Sequence, residues 1–191
     1  MSSSAAYRDT SWASDIDHVL LSEEEIQEKV AELAARLRED YAGRQLLLVG
    51  VLKGAAVFLS DLMRHLSMPL CIDFVQLRSY GHATISSGQV EIVKDLEWSV
   101  EGWDVVVVED IVDTGRTQDY LLRQLHMRGA GSVRICALLS KPSRRKVDVT
   151  IDYLGFDVPN VFVVGYGLDF AERYRNLPFV AVLRPEAYKT P

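Results

Sequence analysis

Cysteine and histidine are scarce in this chain, and their scarcity excludes a good deal. Two cysteines in 191 residues give no disulfide framework, and the four histidines, His18, His65, His82 and His126, share no metal-ligand spacing. Cys71 and Cys136 each sit in an apolar run, which predicts buried free thiols in a reducing compartment, the cytoplasm. No run approaches the ~20 apolar residues of a membrane-spanning helix. Met1 to Asp17 is polar and lacks the apolar segment of a secretory signal, so residues 1–16 are expected as a flexible tail and 17–191 as one domain. Basic charge is in deficit, with 21 Lys and Arg against 27 Asp and Glu. The net charge of −6 argues against non-specific binding to nucleic acid or an anionic membrane. Neither an internal repeat nor a low-complexity linker interrupts the chain.

What is present is an alternation of apolar runs and helical periodicities, with 48% apolar residues. Leu46–Leu52, Leu70–Leu77, Val105–Val108, Val133–Leu139 and Val161–Val164 read as strands, and Val180–Leu183 as a final edge element. Ser22-Glu23-Glu24-Glu25 is a capping box. It opens a helix whose apolar positions Ile26, Val30, Leu33, Leu37 and Tyr41 recur at helical spacing as far as Gly43. Ala55–Leu66 and the stretch through Tyr120 and Met127, stopped by Gly129, read as further helices. This order predicts an α/β fold with a mostly parallel central sheet flanked by helices.

The chain is organised around Val105 to Thr117. Four valines form a strand, Glu109 and Asp110 follow, and Asp113 opens a loop that carries Thr114, Gly115, Arg116 and Thr117 ahead of a helix. Loop amides and the positive end of a helix seat a phosphate, Gly115 permits close backbone approach, and the threonines add hydroxyl donors. Glu109 and Asp110 suit a vicinal diol or a hydrated magnesium ion, and Asp113 lies where it can take or share a proton. A sugar phosphate satisfies this whole set. The plain alternative is an acid-rich turn with a threonine helix cap. The strand also looks like a Walker B element, but no G-x-x-x-x-G-K-[ST] accompanies it. Asp113-Thr114-Gly115 matches the aspartic-protease triplet in one copy only, with a helix after it.

Hydrophobic strand, two acids, two residues and Asp-Thr-Gly-x-Thr together resemble the phosphoribosyl-pyrophosphate motif of the type I phosphoribosyltransferases. Other segments agree. Ligands collect at strand ends in open α/β sheets, which puts Lys53 beside the site, an exposed loop lysine being the alternative. Leu52-Lys53-Gly54 is similar to the family loop that contacts pyrophosphate through backbone groups and uses a non-proline cis peptide. Ser79 and Tyr80, ahead of the Ser- and Gly-rich residues 82–89, resemble the pair on the family's mobile lid, with a surface hairpin as the alternative.

From Phe162 to Phe179 the chain is very similar to the hypoxanthine-guanine branch. The resemblance implies that Phe162 stacks on the purine, the Val163 backbone reads the base edge, Asp169 holds a second magnesium through water, and Arg175 binds pyrophosphate. Lys141, in a basic cluster that otherwise reads as a solvated turn, matches the lysine that donates to the 6-oxygen of the base. Glu109 and Asp110 take the ribose hydroxyls and magnesium, Thr114 to Thr117 the 5′-phosphate, and Asp113 the proton at the purine N7. The family habit adds a small hood from the N-terminal helix and the C-terminal segment, and a homodimer or homotetramer. Arg116 occupies a variable slot and Phe170 replaces a usual Tyr. Some proteins of this fold regulate pyrimidine genes by binding RNA. The net charge and the purine-type set Lys141, Phe162 and Asp169 argue against that. Adenine preference conflicts with Lys141, whereas xanthine preference does not.

Overall fold

The computed structural model describes residues 13–79 and 90–188. In chain order the elements are β1 (Ile16–Leu21), α1 (Glu23–Asp40), β2 (Leu46–Leu52), α2 (Ala55–His65), β3 (Cys71–Ser79), β4 (Val90–Lys94) and β5 (Asp104–Val112). These are followed by α3 (Arg116–Met127), β6 (Ser132–Ser140), β7 (Tyr153–Asp157), β8 (Val163–Val164), β9 (Val180–Leu183) and α4 (Pro185–Tyr188). Six strands form the main sheet in the order β4-β3-β2-β5-β6-β7. All its pairings are parallel except β3 with β4.

Burial on both faces explains the apolar runs. Successive strand side chains point to opposite sides. Leu46, Leu48, Val106, Val108, Cys136 and Leu138 therefore join a core with Ile26, Leu33 and Leu37 of α1 and Phe58 and Leu62 of α2. Their neighbours Leu47, Val49, Val105, Val107, Ile135 and Ala137 pack with Leu121 and Leu125 of α3. The capping box closes in both directions: Glu25 N–H donates to Ser22 Oγ, and Ser22 N–H donates to Glu25 Oε2 at 2.7 Å. Among the described residues no helix is long and apolar enough to cross a membrane.

Several expectations need correction. The strand of four valines runs on to Val112, so Glu109 and Asp110 lie within β5 instead of beyond it. Residues Tyr153–Asp157, read from sequence as no element, form the edge strand β7. There Gly155 meets Leu138 so closely that an added Cβ would lie 2.4 Å from its carbonyl oxygen. The expected strand Val161–Val164 contracts to Val163–Val164. β9, expected at an edge, is the middle strand of a second, antiparallel sheet ordered β1-β9-β8. The tail ends sooner than its polarity suggests, because Ile16 and His18 already pair with Leu183 and Val182. That small sheet is the hood. It is built from β1 with the C-terminal strands, while α1 packs with α2 on the main sheet. Cys136 is buried as expected, but Cys71 is exposed.

The chain leaves β2 through α2 towards β3 on one side and leaves β5 through α3 towards β6 on the other. β2 and β5 are hydrogen-bonded neighbours, so their carboxyl ends flank a topological switch point, where open α/β sheets bind ligands.

Candidate active site

Residues of β5 and the loop after it carry the centre of the site. Gly115 takes φ 83 as the N-terminal cap of α3. A Cβ there would lie 2.4 Å from the Val147 carbonyl oxygen, so conformation and space both require glycine. The segment behind it is tied on by the Lys146 and Val147 N–H groups, which donate to the Thr114 carbonyl at 2.9 and 3.0 Å. Arg145 donates to Ser140 Oγ at 3.0 Å from the same segment. Thr114 and Thr117 are half-buried and Arg116 is exposed at the start of α3.

Asp113 is half-exposed, and its Oδ1 accepts from Arg144 Nε at 2.7 Å. Lys141 is buried at the end of β6, with its N–H donating to the Val112 carbonyl at 3.0 Å. Burial pulls its ammonium pKa down, the Asp113 carboxylate opposes that, and Arg144 reinforces it. The three charges thus lie within electrostatic reach of one another, between the ends of β5 and β6.

Glu109 is only 3% exposed and accepts from Gln118 Nε2 at 2.7 Å. Burial, aided by the neighbouring Asp110 and opposed by Gln118, pushes its carboxyl from an ordinary 4.5 up to about 8. Asp110 is raised to about 6, chiefly by burial. The Ile111 N–H at 2.8 Å and the charge of Arg175 oppose the rise, and Asp169 adds to it. For Glu109 the folded protein therefore holds a proton that the unfolded chain has lost between about pH 4.5 and about 8, and stability falls as pH rises through that window. Glu109→Gln is expected to flatten that fall. In magnesium-free buffer, the variant's melting temperature should gain on the wild type between pH 5 and 8. Parallel curves would mean Glu109 is ionised in the fold.

The β2–α2 loop meets β5 from the side. The Leu52–Lys53 peptide is cis, as the resemblance implied. A Cβ on Gly54 would lie 1.6 Å from Asp110 Oδ2, and a Cβ on Gly167 would lie 2.0 Å from the Gly54 carbonyl oxygen. One peptide unit is therefore clasped between the β5 acids and the segment after β8. In that segment Arg175 donates to the Gly167 carbonyl at 2.8 Å and lies 2.7 Å from Asp169 Oδ1. Glu172 accepts from Lys53 at 3.0 Å, which holds its carboxyl below the ordinary range. Phe162 is 36% exposed and stacks on Tyr188, with ring centres 5.0 Å apart, while Phe170 meets its edge at 5.6 Å. Val163 is buried beside it.

Of the residues singled out from sequence, Leu52, Lys53, Gly54, Glu109, Asp110, Asp113, Thr114, Gly115, Arg116, Thr117 and Lys141 lie at the carboxyl ends of β2, β5 and β6. Asp169 and Arg175 join them through Gly167 and Asp110. Ser79 ends β3, and Tyr80 with the rest of the expected lid lies outside the described residues. Sequence reading passed over Arg144, Gln118, Glu172 and Tyr188. Arg144 stood in a basic turn whose default is solvation, and Gln118 on a helix face whose partner is set only by tertiary packing. Among the described residues no three His, Cys, Asp or Glu side chains come close enough to hold a metal alone. Asp110 and Asp169 do suit magnesium, which uses one or two carboxylates and completes its shell from water and substrate phosphates. Glu109, turned to Gln118, suits it less.

A mostly parallel sheet with an acid-and-hydroxyl loop at its switch point, under a separate small sheet, defines a type I phosphoribosyltransferase fold. Residues 20–171 match the family model for the phosphoribosyl transferase domain. The chain belongs to that family, in its hypoxanthine-guanine branch. It is 53% identical over 176 residues to the hypoxanthine-guanine phosphoribosyltransferase of Bacillus subtilis, covering 92% of this chain and 98% of that protein. It is 55% identical over 174 residues to the bifunctional protein TilS/HprT of Listeria monocytogenes; the match takes in 91% of this chain but only 27% of that relative's length. Among solved structures, a hypoxanthine phosphoribosyltransferase from Staphylococcus aureus superposes with a TM-score of 0.92 at 45% identity, covering 96% of this chain and 100% of the other.

Proposed function

We propose that the protein transfers the 5-phosphoribosyl group from phosphoribosyl pyrophosphate to hypoxanthine or guanine, giving IMP or GMP and pyrophosphate in purine salvage. The observation that carries this reading is the meeting of the glycine-backed phosphate loop, Asp113 and the buried Lys141 at one end of the sheet. In the reaction the purine N9 forms its bond to C1′ as the bond from C1′ to pyrophosphate oxygen breaks. Thr114, Gly115, Arg116 and Thr117 hold the 5′-phosphate and fix the sugar for attack. Asp113 takes or shares the proton at N7, next to the reacting ring nitrogen. Asp110 receives the ribose hydroxyls, with the buried Glu109, which accepts from Gln118, behind it. Leu52, Lys53 and Gly54, with Arg175, receive pyrophosphate. Phe162 stacks on the base, the Val163 backbone meets its edge, and Lys141 donates to its 6-oxygen. Ser79 and Tyr80 close over the sugar, where water would capture an electron-poor C1′.

Magnesium, on this reading, is held by Asp110 and Asp169, with Glu109 behind them. When bound it would supply positive charge that offsets the charge of pyrophosphate. A cytoplasmic setting and a homodimer or homotetramer belong to the same reading on the strength of the family resemblance. Initial rates with magnesium and phosphoribosyl pyrophosphate against five bases test it. Hypoxanthine or guanine should turn over, and adenine and uracil should not, because an amino group at position 6 leaves the Lys141 ammonium without an acceptor. Xanthine turnover would widen the specificity without changing the reaction. Lys141→Ala should weaken hypoxanthine binding by ~2 kcal/mol. Folded protein inactive on all five bases would overturn the reading, and unchanged affinity in the variant would move the base pocket elsewhere.

A further inference from the structure

Glu172 has no part in the reaction just described, yet it engages both cations assigned to pyrophosphate. Its Oε2 accepts from Lys53 Nζ at 3.0 Å and lies 3.5 Å from Arg175 Nη2. The backbone holds it there. Ala171 and Glu172 take φ values of 51 and 63, and the Glu172 N–H donates to Asp169 Oδ2 at 2.9 Å. Non-glycine residues are uncommon in this left-handed region and are held there by their surroundings. The side chains of Lys53 and Glu172 are 56% and 65% exposed, so stability gains little from their contact. Ala171 and Glu172 are the corners of a two-residue turn closed by Phe170 and Arg173, whose backbone N–H groups donate to each other's carbonyls at 3.3 and 3.1 Å, and this turn presents the Glu172 carboxylate to the two cations.

We infer that Glu172 is an internal stand-in for pyrophosphate. Its carboxylate occupies Lys53 and Arg175 in the substrate-free protein, yields them to the incoming pyrophosphate end of the donor, and takes them back as pyrophosphate leaves. Arg175 also has Asp169 Oδ1 at 2.7 Å, so Glu172 chiefly neutralises Lys53, whose ammonium would otherwise hold a multiply charged product more tightly. A resident carboxylate competes with the product for these cations, which weakens pyrophosphate without touching the 5′-phosphate loop. The inference rests on the assignment of Lys53 and Arg175 to pyrophosphate.

Glu172→Gln keeps the side chain's length and removes its charge. Calorimetric titration of the full-length wild type and variant with magnesium pyrophosphate, and separately with IMP, tests the inference. The variant should bind pyrophosphate about two- to fivefold more tightly, the scale of exposed ion pairs, with IMP affinity unchanged. Pyrophosphate should also become a stronger product inhibitor by the same factor. Glu172→Ala, which cannot bridge the two cations, should behave alike. Unchanged or weaker pyrophosphate binding would overturn the role of Glu172. Equal tightening of both ligands would also overturn it, showing a general charge effect. A wild type that makes IMP while both variants match it in pyrophosphate affinity sinks this inference alone. A wild type with neither turnover nor pyrophosphate affinity overturns the site assignment and this inference with it.

Discussion

Asp113→Asn is expected to lower turnover by roughly 10²-fold or more while leaving affinity for phosphoribosyl pyrophosphate nearly intact. The exchange is close to isosteric. Asparagine retains an Oδ1 that can accept from Arg144 Nε, now at 2.7 Å, so the loop geometry has no reason to change. What is lost is the capacity to take a proton, together with the negative charge that faces the Lys141 ammonium. The phosphate loop beyond it is fixed by other contacts, Lys146 and Val147 donating to the Thr114 carbonyl, so the donor's 5′-phosphate should bind as before. Single-turnover rates with hypoxanthine, alongside equilibrium binding of the donor, separate the two quantities. Near-normal turnover would remove Asp113 from the proton path. A parallel loss of donor binding would make it a support of the loop.

That site was legible in the sequence to the extent that it is local. Strand, acids, Asp-Thr-Gly-x-Thr and helix occupy one stretch, and each residue's type follows from its neighbours along the chain. Strand β2 and helix α1 were equally readable, one from an unbroken apolar run buried on both faces, the other from a capping box and a 3.6-residue period. Parts of the fold set by distant contacts were not. Gly155 and two flanking polar turns hide β7, whose strand character comes from pairing with β6. β9 has the composition of any short strand, and only the return of residues 16–21 to its side makes it the centre of a sheet. Glu109 reads as one of two adjacent acids at a strand end, and its burial follows from β5 continuing to Val112 and from Gln118 reaching across from α3. Glu172 and Tyr188 gain meaning only from Lys53 and Phe162, partners at long or unpatterned sequence distances.

Gly54→Ala should cost about 10²-fold in kcat/KM for phosphoribosyl pyrophosphate, with little intrinsic backbone penalty. Gly54 sits at φ −60 and ψ −43, a conformation alanine prefers, so backbone preference alone would favour the change. The obstacle is space. The new methyl would lie 1.6 Å from Asp110 Oδ2 and 2.5 Å from its Cγ, far inside contact distance. The Gly54 peptide has little room to retreat, because its carbonyl oxygen is already pressed by Gly167. Asp110 is the freer party, held by its own residue's chain and by the Ile111 N–H at 2.8 Å, so its carboxylate should swing by about an ångström or more. That carboxylate is the one proposed to meet the ribose hydroxyls and magnesium, and a misplacement on this scale is costly in a preorganised site. The double variant makes the cause plain. In an Asp110→Ala background the methyl has room, so Gly54→Ala should add almost nothing to the loss already caused by removing Asp110. Independent, multiplying losses would show that Gly54 acts through its backbone contact with the donor and not through Asp110, and a fully active single variant would free the Asp110 carboxylate from any fixed role.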